Sequence, residues 1–341
     1  MALATPMLGI ARVQTTVVPR WLHWCAVFTV ASAFPLLFLG AEVTTHQVGM
    51  VDQVGMRTPW HLFEVAGEKI EEGNWGFLIE HSHRTFGWLV GAGAIVVAVG
   101  LFLSQKKARF RWLGVAALFA VTLQGLVGKY RVDAFRLVGP GFANELALIH
   151  GCFAQLVFAL LVSVAFLTSP TWLDADRAAH FSGNGAADLP RVTSLTVVLI
   201  YGQVVLGAIV RHTGFLWGPR IHLLLAFVLV AVVAYSWMTY RRTGLQESIL
   251  AWPFAILVLL MGLQLLLGVE AWMSKFATAQ WTQLKPLIAN KTFMDLPRSL
   301  HSLTGALLFA TSVVVALGAW QIAAPATANT LSPHSKQEGA A

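Results

Sequence analysis

The sequence predicts an all-α integral membrane protein of eight transmembrane helices, folded as two pseudo-symmetric four-helix bundles. Three observations carry that expectation. Of 341 residues, 57% are hydrophobic and only 11% are charged, whereas a soluble domain carries roughly 25% charged residues. The apolar residues gather into eight runs, each near the ~20 residues that a helix needs to cross a bilayer core. The second half of the chain also repeats short patterns of the first. Only helices and closed barrels satisfy the backbone in lipid, and runs this continuous are helical.

The runs fall at about 21–41, 82–104, 111–130, 146–168, 191–211, 220–240, 250–272 and 299–322. Ahead of the first, residues 1–19 hold Arg12 but no apolar core followed by a small-residue cleavage site. They do not read as a cleaved signal, so the first run is expected to stay as a helix. Between the first two runs, Glu42, Asp52, Glu64, Glu68, Glu71, Glu72 and Glu80 stand against Arg57 and Lys69. The connection 104–111 holds Lys106, Lys107, Arg109 and Arg111, and 240–250 holds Arg241 and Arg242. Dense basic clusters favour the inner side, which places the N-terminus inside, although connections 129–145 and 273–298 are basic too. The membrane expected is a bacterial plasma membrane, or the mitochondrial inner membrane in a eukaryote.

The net charge of +7 does not point to nucleic acid. The basic residues lie between the runs and not in a stripe interleaved with aromatics. The 13 tryptophans suit interfacial belts. Cys25 and Cys152 open the first and fourth runs. Eight alternating crossings put them on opposite sides, so no disulfide is expected. No CxxC or CxxCH occurs, which argues against a zinc knuckle and against covalently attached haem.

The duplication is read from two pairs of segments. Leu39-Gly40-Ala41-Glu42-Val43 is echoed by Leu206-Gly207-Ala208-Ile209-Val210, and Gln124-Gly125-Leu126-Val127-Gly128 by Gln264-Leu265-Leu266-Leu267-Gly268. Runs one to four thus correspond to runs five to eight. The expected division is an N-terminal half over 1–168, a linker over 169–190, a C-terminal half over 191–322 and a disordered tail over 323–341.

Four histidines, His83, His150, His222 and His301, open the four even-numbered runs and so lie near one membrane face. Ionisable residues at membrane depth are costly and mark functional sites. Any one of them alone would be better read as a hydrogen-bonded core histidine, but a fourfold register gives core histidines no reason to share a side. Imidazole is a common ligand of haem iron. Two histidines per bundle meet the need for rings on both faces of a flat macrocycle. Gly87, Gly151, Ser302 and Gly305 would let such a ring approach the backbone, and close helix packing explains the same small residues.

The segment Glu80-His81-Ser82-His83-Arg84 is the densest polar cluster. On a helix Glu80 shares a face with His83 and with Arg84. His83 is thus the expected partner of Glu80, with His81 turned to a loop or an interface. Arg84, Arg220 and Arg298 each lie within three residues of a histidine of the set and are expected to bind haem propionates, which seek guanidinium groups. Arg131 and Arg211 end runs on the same side. Glu270 and Lys275 are weaker candidates for lining the second site. His23, His46, His61, His180, His212 and His334 have no matching partners and are given no metal role.

Together these motifs resemble the haem A synthase family over about residues 18–322. The Glu-x-x-His-Arg pattern stands at Glu80–Arg84, single histidines open runs four, six and eight, and Leu206-Gly207-Ala208-Ile209-Val210-Arg211-His212-Thr213-Gly214 resembles the family's end of run five. The resemblance implies oxidation of a methyl group of haem O to the formyl group of haem A, for terminal oxidase assembly. It implies metal ligands at His83, His150, His222 and His301, the substrate haem in the N-terminal half and a haem b cofactor in the C-terminal half. Glu80 would act as a base or stabilise positive charge. Implied partners are the lipid bilayer, haem O synthase, an electron acceptor or donor, and a second copy of the chain. Many family members carry a cysteine pair in the first outer loop. Residues 42–80 have none, so the chain resembles a cysteine-lacking branch. In the first repeat Glu42-Val43-Thr44-Thr45-His46 also replaces the Val-Arg-x-Thr-Gly pattern. Two other readings use the same histidines: a dihaem b-type cytochrome taking electrons from quinol, and a haem carrier.

Overall fold

The computed structural model describes residues 18–51, 61–173, 188–244, 249–273 and 291–323. Its helices are α1 (Arg20–His46), α2 (His61–Glu71), α3 (Trp75–Ser104), α4 (Ala108–Leu137), α5 (Pro140–Leu167), the single turn α6 (Pro170–Leu173), α7 (Leu189–His212), α8 (Gly218–Arg242), α9 (Ala251–Trp272) and α10 (Lys291–Ala323). Among the described residues eight helices are long and apolar enough to cross a membrane: α1, α3, α4, α5, α7, α8, α9 and, from Asp295 onward, α10. Residues 174–187 of the expected linker and 324–341 of the expected tail lie outside the described residues, as do His180, Lys275 and His334.

Helices outrun their apolar runs mainly on the histidine-bearing side. There α3 starts at Trp75, α4 ends at Leu137, α5 starts at Pro140 and α10 at Lys291. Hydropathy marks only the part of a helix that suits hydrocarbon, whereas capping sets its true ends. The Asn74 side chain accepts from Phe77 N at 3.1 Å and starts α3. Gly139, at φ 120°, makes the turn from α4 that only glycine adopts freely, and Pro140 opens α5. The short amphipathic α2 falls inside the acidic connection, where no apolar run announced it.

Packing divides the crossings into two rings. In the first, α1 packs on α3, α3 on α4, α4 on α5 and α5 on α1; in the second, α7 packs on α8, α8 on α9, α9 on α10 and α10 on α7. The rings correspond helix for helix in chain order. They meet where α5 packs on α10, α1 on α10 and α5 on α7. Exchanging the halves maps this contact set onto itself, which is the mark of a pseudo-two-fold. The central position of α10 and α5 shows in burial: 67% and 44% of their most apolar stretches are buried, against 17–28% in the other crossings. Outward-facing leucines and phenylalanines such as Leu103, Leu224, Phe227 and Leu266 coat the perimeter, as a lipid-facing surface requires.

Small residues and hydroxyls join the helices. A β-carbon on Gly93 of α3 would lie 2.3 Å from Thr29 Oγ1 of α1, and one on Gly100 would lie 2.2 Å from Leu22 Cδ2. Such glycines let backbones close where lipid gives no hydrophobic drive. Buried hydroxyls return to their own carbonyls, as Thr29 does to Cys25 O at 2.8 Å, or meet across helices, as Thr196 Oγ1 meets Ser236 Oγ at 2.8 Å. Cys25 and Cys152 are free thiols. For the α7–α8 hydroxyl pair, a double-mutant cycle of Thr196→Val and Ser236→Ala should give a coupling of about 0.6 kcal/mol, the usual size for such bonds in membranes. Unfolding in mixed micelles measures it.

Candidate functional site

The four histidines of the register lie on α3, α5, α8 and α10, toward the same ends of those helices. Each is half-buried. Each imidazole packs against a glycine of the preceding crossing. A β-carbon on Gly40 would meet His83 Cε1 at 2.8 Å, one on Gly128 would meet His150 Cε1 at 2.9 Å, one on Gly207 His222 Cε1 at 3.2 Å, and one on Gly268 His301 Cε1 at 3.1 Å. These are the glycines of the duplicated segments. Their repetition reflects a seat for an imidazole at each of four places, for which a side chain has been removed.

One turn before three of the four glycines stands a glutamine. Gln124 Nε2 donates to His150 O at 3.0 Å and lies 3.4 Å from His150 Nε2. Gln203 Nε2 donates to His222 O at 2.8 Å. Gln264 Nε2 lies 3.3 Å from His301 Nε2. The fourth place is Leu36, whose carbonyl accepts from His83 Nδ1 at 2.9 Å. A carbonyl only accepts, so His83 carries its proton on Nδ1 and keeps the Nε2 lone pair that a metal requires. The Nδ1 atoms of His150, His222 and His301 are buried with no hydrogen-bond partner, and so are the Oε1 atoms of the three glutamines. Buried polar atoms without partners are expensive. Here they surround the imidazoles.

The expected cofactor can be tested against this donor set. The His222 and His301 rings have centroids 6.3 Å apart and planes 76° apart. Two imidazoles bound to one metal at about 2.0 Å each would have ring centres roughly 6 Å apart. The second pair therefore fits a bis-imidazole haem. In the first half, His150 lies within electrostatic reach of both His83 and Arg131. Gly87 beside His83, and Gly151 beside His150, have open space where a β-carbon would point, which leaves room for a flat ring. Small clusters of histidine, cysteine and carboxylate suited to a bare metal ion are absent among the described residues.

Glu80 departs from its expected partner. Its Oε1 accepts from Arg84 Nη2 at 2.6 Å, with Glu80 buried and Arg84 half-buried, while His83 turns to Leu36. Glu80 and Arg84 lie on α3 at i,i+4, where a guanidinium reaches a carboxylate, and an imidazole seated on Gly40 cannot also turn back to its own helix. His81, expected at a loop or interface, is buried and stacks on Phe77, with centroids 5.4 Å apart. Arg220 is exposed and lies over Trp217 at 5.2 Å. Arg298 is paired to Asp295. Glu270 is exposed at the end of α9.

Of the histidines set aside, His23 donates from Nδ1 to Ala165 O at 3.1 Å on the far side, and His46 lies 3.1 Å from Glu42 Oε2 and 3.8 Å from Asp295 Oδ2. The sequence placed Arg131 at the end of a run on the histidine side without linking it to a particular histidine; its charge acts on both His83 and His150. It has no hydrogen bond or ion pair among the described residues, and lies over Gly49. The repeated glycines aligned the halves in the sequence without showing that they seat the imidazoles.

The seats differ in tightness, and this orders the cost of filling them. Gly40→Ala and Gly128→Ala should each cost about 1–3 kcal/mol, the usual range for overpacking. Gly207→Ala and Gly268→Ala, with more room, should cost less. Thermal unfolding of the detergent-solubilised protein gives the order.

Residues 61–216 match a family model described as COX15-CtaA, cytochrome oxidase assembly protein. The match takes in α2 through α7, and with them Glu80, His83, Arg84, Gly128, His150, Gly207 and Arg211; it stops short of His222 and His301. No curated protein and no solved structure matches the chain. Over residues 61–216 the chain is thus similar to the COX15-CtaA family, the haem A synthase family of cytochrome oxidase assembly proteins.

Proposed function

We propose that the protein is a haem A synthase, which oxidises the methyl group of haem O to the formyl group of haem A. The observation that carries this reading is an asymmetry between otherwise matching halves. Beside the first pair of imidazoles lies a buried carboxylate, Glu80, ion-paired to Arg84 at 2.6 Å. The places equivalent to Glu80 and Arg84, counted from His222, are Pro219 and Leu223, and the carboxylate of the second half, Asp295, lies six residues before His301 and is paired to Arg298. A haem that only passes electrons exchanges no proton with carbon and needs no base there. A site that strips protons from carbon needs one.

In this reading the first half, with His83 and His150, receives the substrate haem. The second, with His222 and His301, holds haem b, which supplies a one-electron couple when bound. The imidazoles orient each ring system between facing helices. The glycine seats fix the imidazoles, and Leu36 O fixes the His83 proton on Nδ1. Glu80 takes a proton as the methyl carbon is oxidised, and Arg84 compensates its charge inside the bundle. Arg131 offers the first site a guanidinium for a carboxylate. Arg220 and Arg298 are the candidates at the second, Arg298 by exchanging Asp295 for a propionate. Methyl to formyl is a four-electron oxidation: water adds to the oxidised carbon and supplies the formyl oxygen, four protons leave, and an external electron acceptor takes the four electrons. The protein works beside haem O synthase in a bacterial plasma membrane or a mitochondrial inner membrane, with its N-terminus inside.

Purified protein co-expressed with haem O synthase should yield haem b together with haem O or haem A on extraction and mass identification. Protohaem alone in every preparation would instead favour a quinol-linked dihaem cytochrome. Glu80→Gln should keep the haem b spectrum and lower haem A output by about 100-fold or more, the usual contribution of a general base. Undiminished haem A in that variant would defeat the catalytic role. His222→Ala should abolish the low-spin haem b signal.

A further inference from the structure

We infer that Arg211 is a positioning residue that ties the two sites together and raises the reduction potential of the haem held by His222 and His301. The inference rests on the reading of the second site as a haem b site. Arg211 closes the last turn of α7. Its Nη1 donates to Ser302 Oγ of α10 at 2.7 Å. Its Nη2 donates to Ala41 O and to Thr45 Oγ1 of α1, at 2.7 and 2.6 Å. Thr45 Oγ1 in turn meets Ser299 Oγ at 3.1 Å. One guanidinium thus joins three helices across the boundary between the halves.

Its partners are adjacent to the sites themselves. Ser302 follows His301 in the chain, and Ala41 follows Gly40, the seat of His83. A shift of this guanidinium would be felt on both sides of the pseudo-two-fold. The chain's duplication does not account for it. The place equivalent to Arg211, four residues after Gly40, is Thr44, whose hydroxyl returns to Gly40 O at 3.1 Å. The cation belongs to the second half alone.

It also has no ion-pair partner among the described residues, and the two charged groups that act on it, Arg298 and Glu42, are of opposite sign. Every hydrogen-bond acceptor of Arg211 is an uncharged oxygen. Glu42 is engaged by His46 at 3.1 Å, and Arg298 is paired to Asp295. In a medium of low dielectric constant a cation without an ion-pair partner acts over a long range. Ferric haem is one unit more positive than ferrous haem, so a nearby cation disfavours the ferric state. Uncompensated charge near the metal is one of the levers by which a protein sets a haem potential.

The test uses full-length protein loaded with protohaem and titrated spectroelectrochemically, following the low-spin band that His222→Ala removes. In Arg211→Gln, the ferrous-to-ferric ratio at the wild-type midpoint should fall about tenfold, equivalent to about 59 mV for a one-electron couple. Arg211→Lys, which keeps the charge, should stay within about twofold. A wild-type midpoint in Arg211→Gln with the low-spin band intact would overturn the inference, and so would an equal fall in Arg211→Lys. If Arg211→Gln does not accumulate, Ser302→Ala and Thr45→Val decide. Each removes an acceptor and keeps the charge, so each should leave the midpoint within about twofold, and a tenfold fall in either would overturn the inference. Wild-type protein that shows no low-spin band would instead overturn the reading of the second site, and this inference with it.

Discussion

Everything that distinguishes this membrane protein from an apolar bundle depends on the packing of an imidazole against a backbone without a side chain. His83 on Gly40, His150 on Gly128, His222 on Gly207 and His301 on Gly268 form one contact four times. Glycine in a helix costs about 1 kcal/mol relative to alanine, and four of them are kept at facing positions. The return is that a polar ring is held inside the bundle without filling the space between helices. Around that contact the other features are arranged. Glutamines one turn earlier hold the backbone or ring of three of the histidines, and the ion pair of Glu80 and Arg84 lies one turn from the remaining one.

The charges of Glu80, Arg298 and Arg211 are handled in two ways. Glu80 answers to Arg84 and Arg298 to Asp295, each within a single turn of its own helix. Arg211 does the opposite and donates to a carbonyl and hydroxyls of two other helices. Burying a charge is tolerable when hydrogen bonds replace the lost water. The two solutions have different consequences, because a local ion pair cancels its own field and a guanidinium bound by neutral oxygens does not.

Much of the fold was legible in the sequence, because the bilayer leaves so few alternatives. All eight runs are helices, and the match between the halves could be read from Leu39–Val43 against Leu206–Val210. The ends were not legible: Trp75–Ile79 and Arg131–Leu137 extend helices through residues that hydropathy reads as connection. The histidine register was visible too, since charge-bearing rings stand out in apolar runs. Their partners were harder. Glu80 has both His83 and Arg84 within reach, at i+3 and i+4, and only the seat on Gly40 turns the imidazole away. Nor does any local pattern reveal that Arg131 of α4 acts on the histidines of α3 and α5, because that depends on how the ring of helices closes.

The halves meet through α5 on α10, with α1 on α10 matched by α7 on α5. Each half also enters and leaves the bilayer on one side, since it crosses an even number of times. A surface that pairs with its own copy in this way is self-complementary, the geometry by which cyclic dimers assemble. Joining two such units in one polypeptide therefore needs no inversion in the membrane, and it frees each unit to diverge. One could gain a carboxylate where the other kept proline, and one a guanidinium where the other kept threonine, within a shared scaffold.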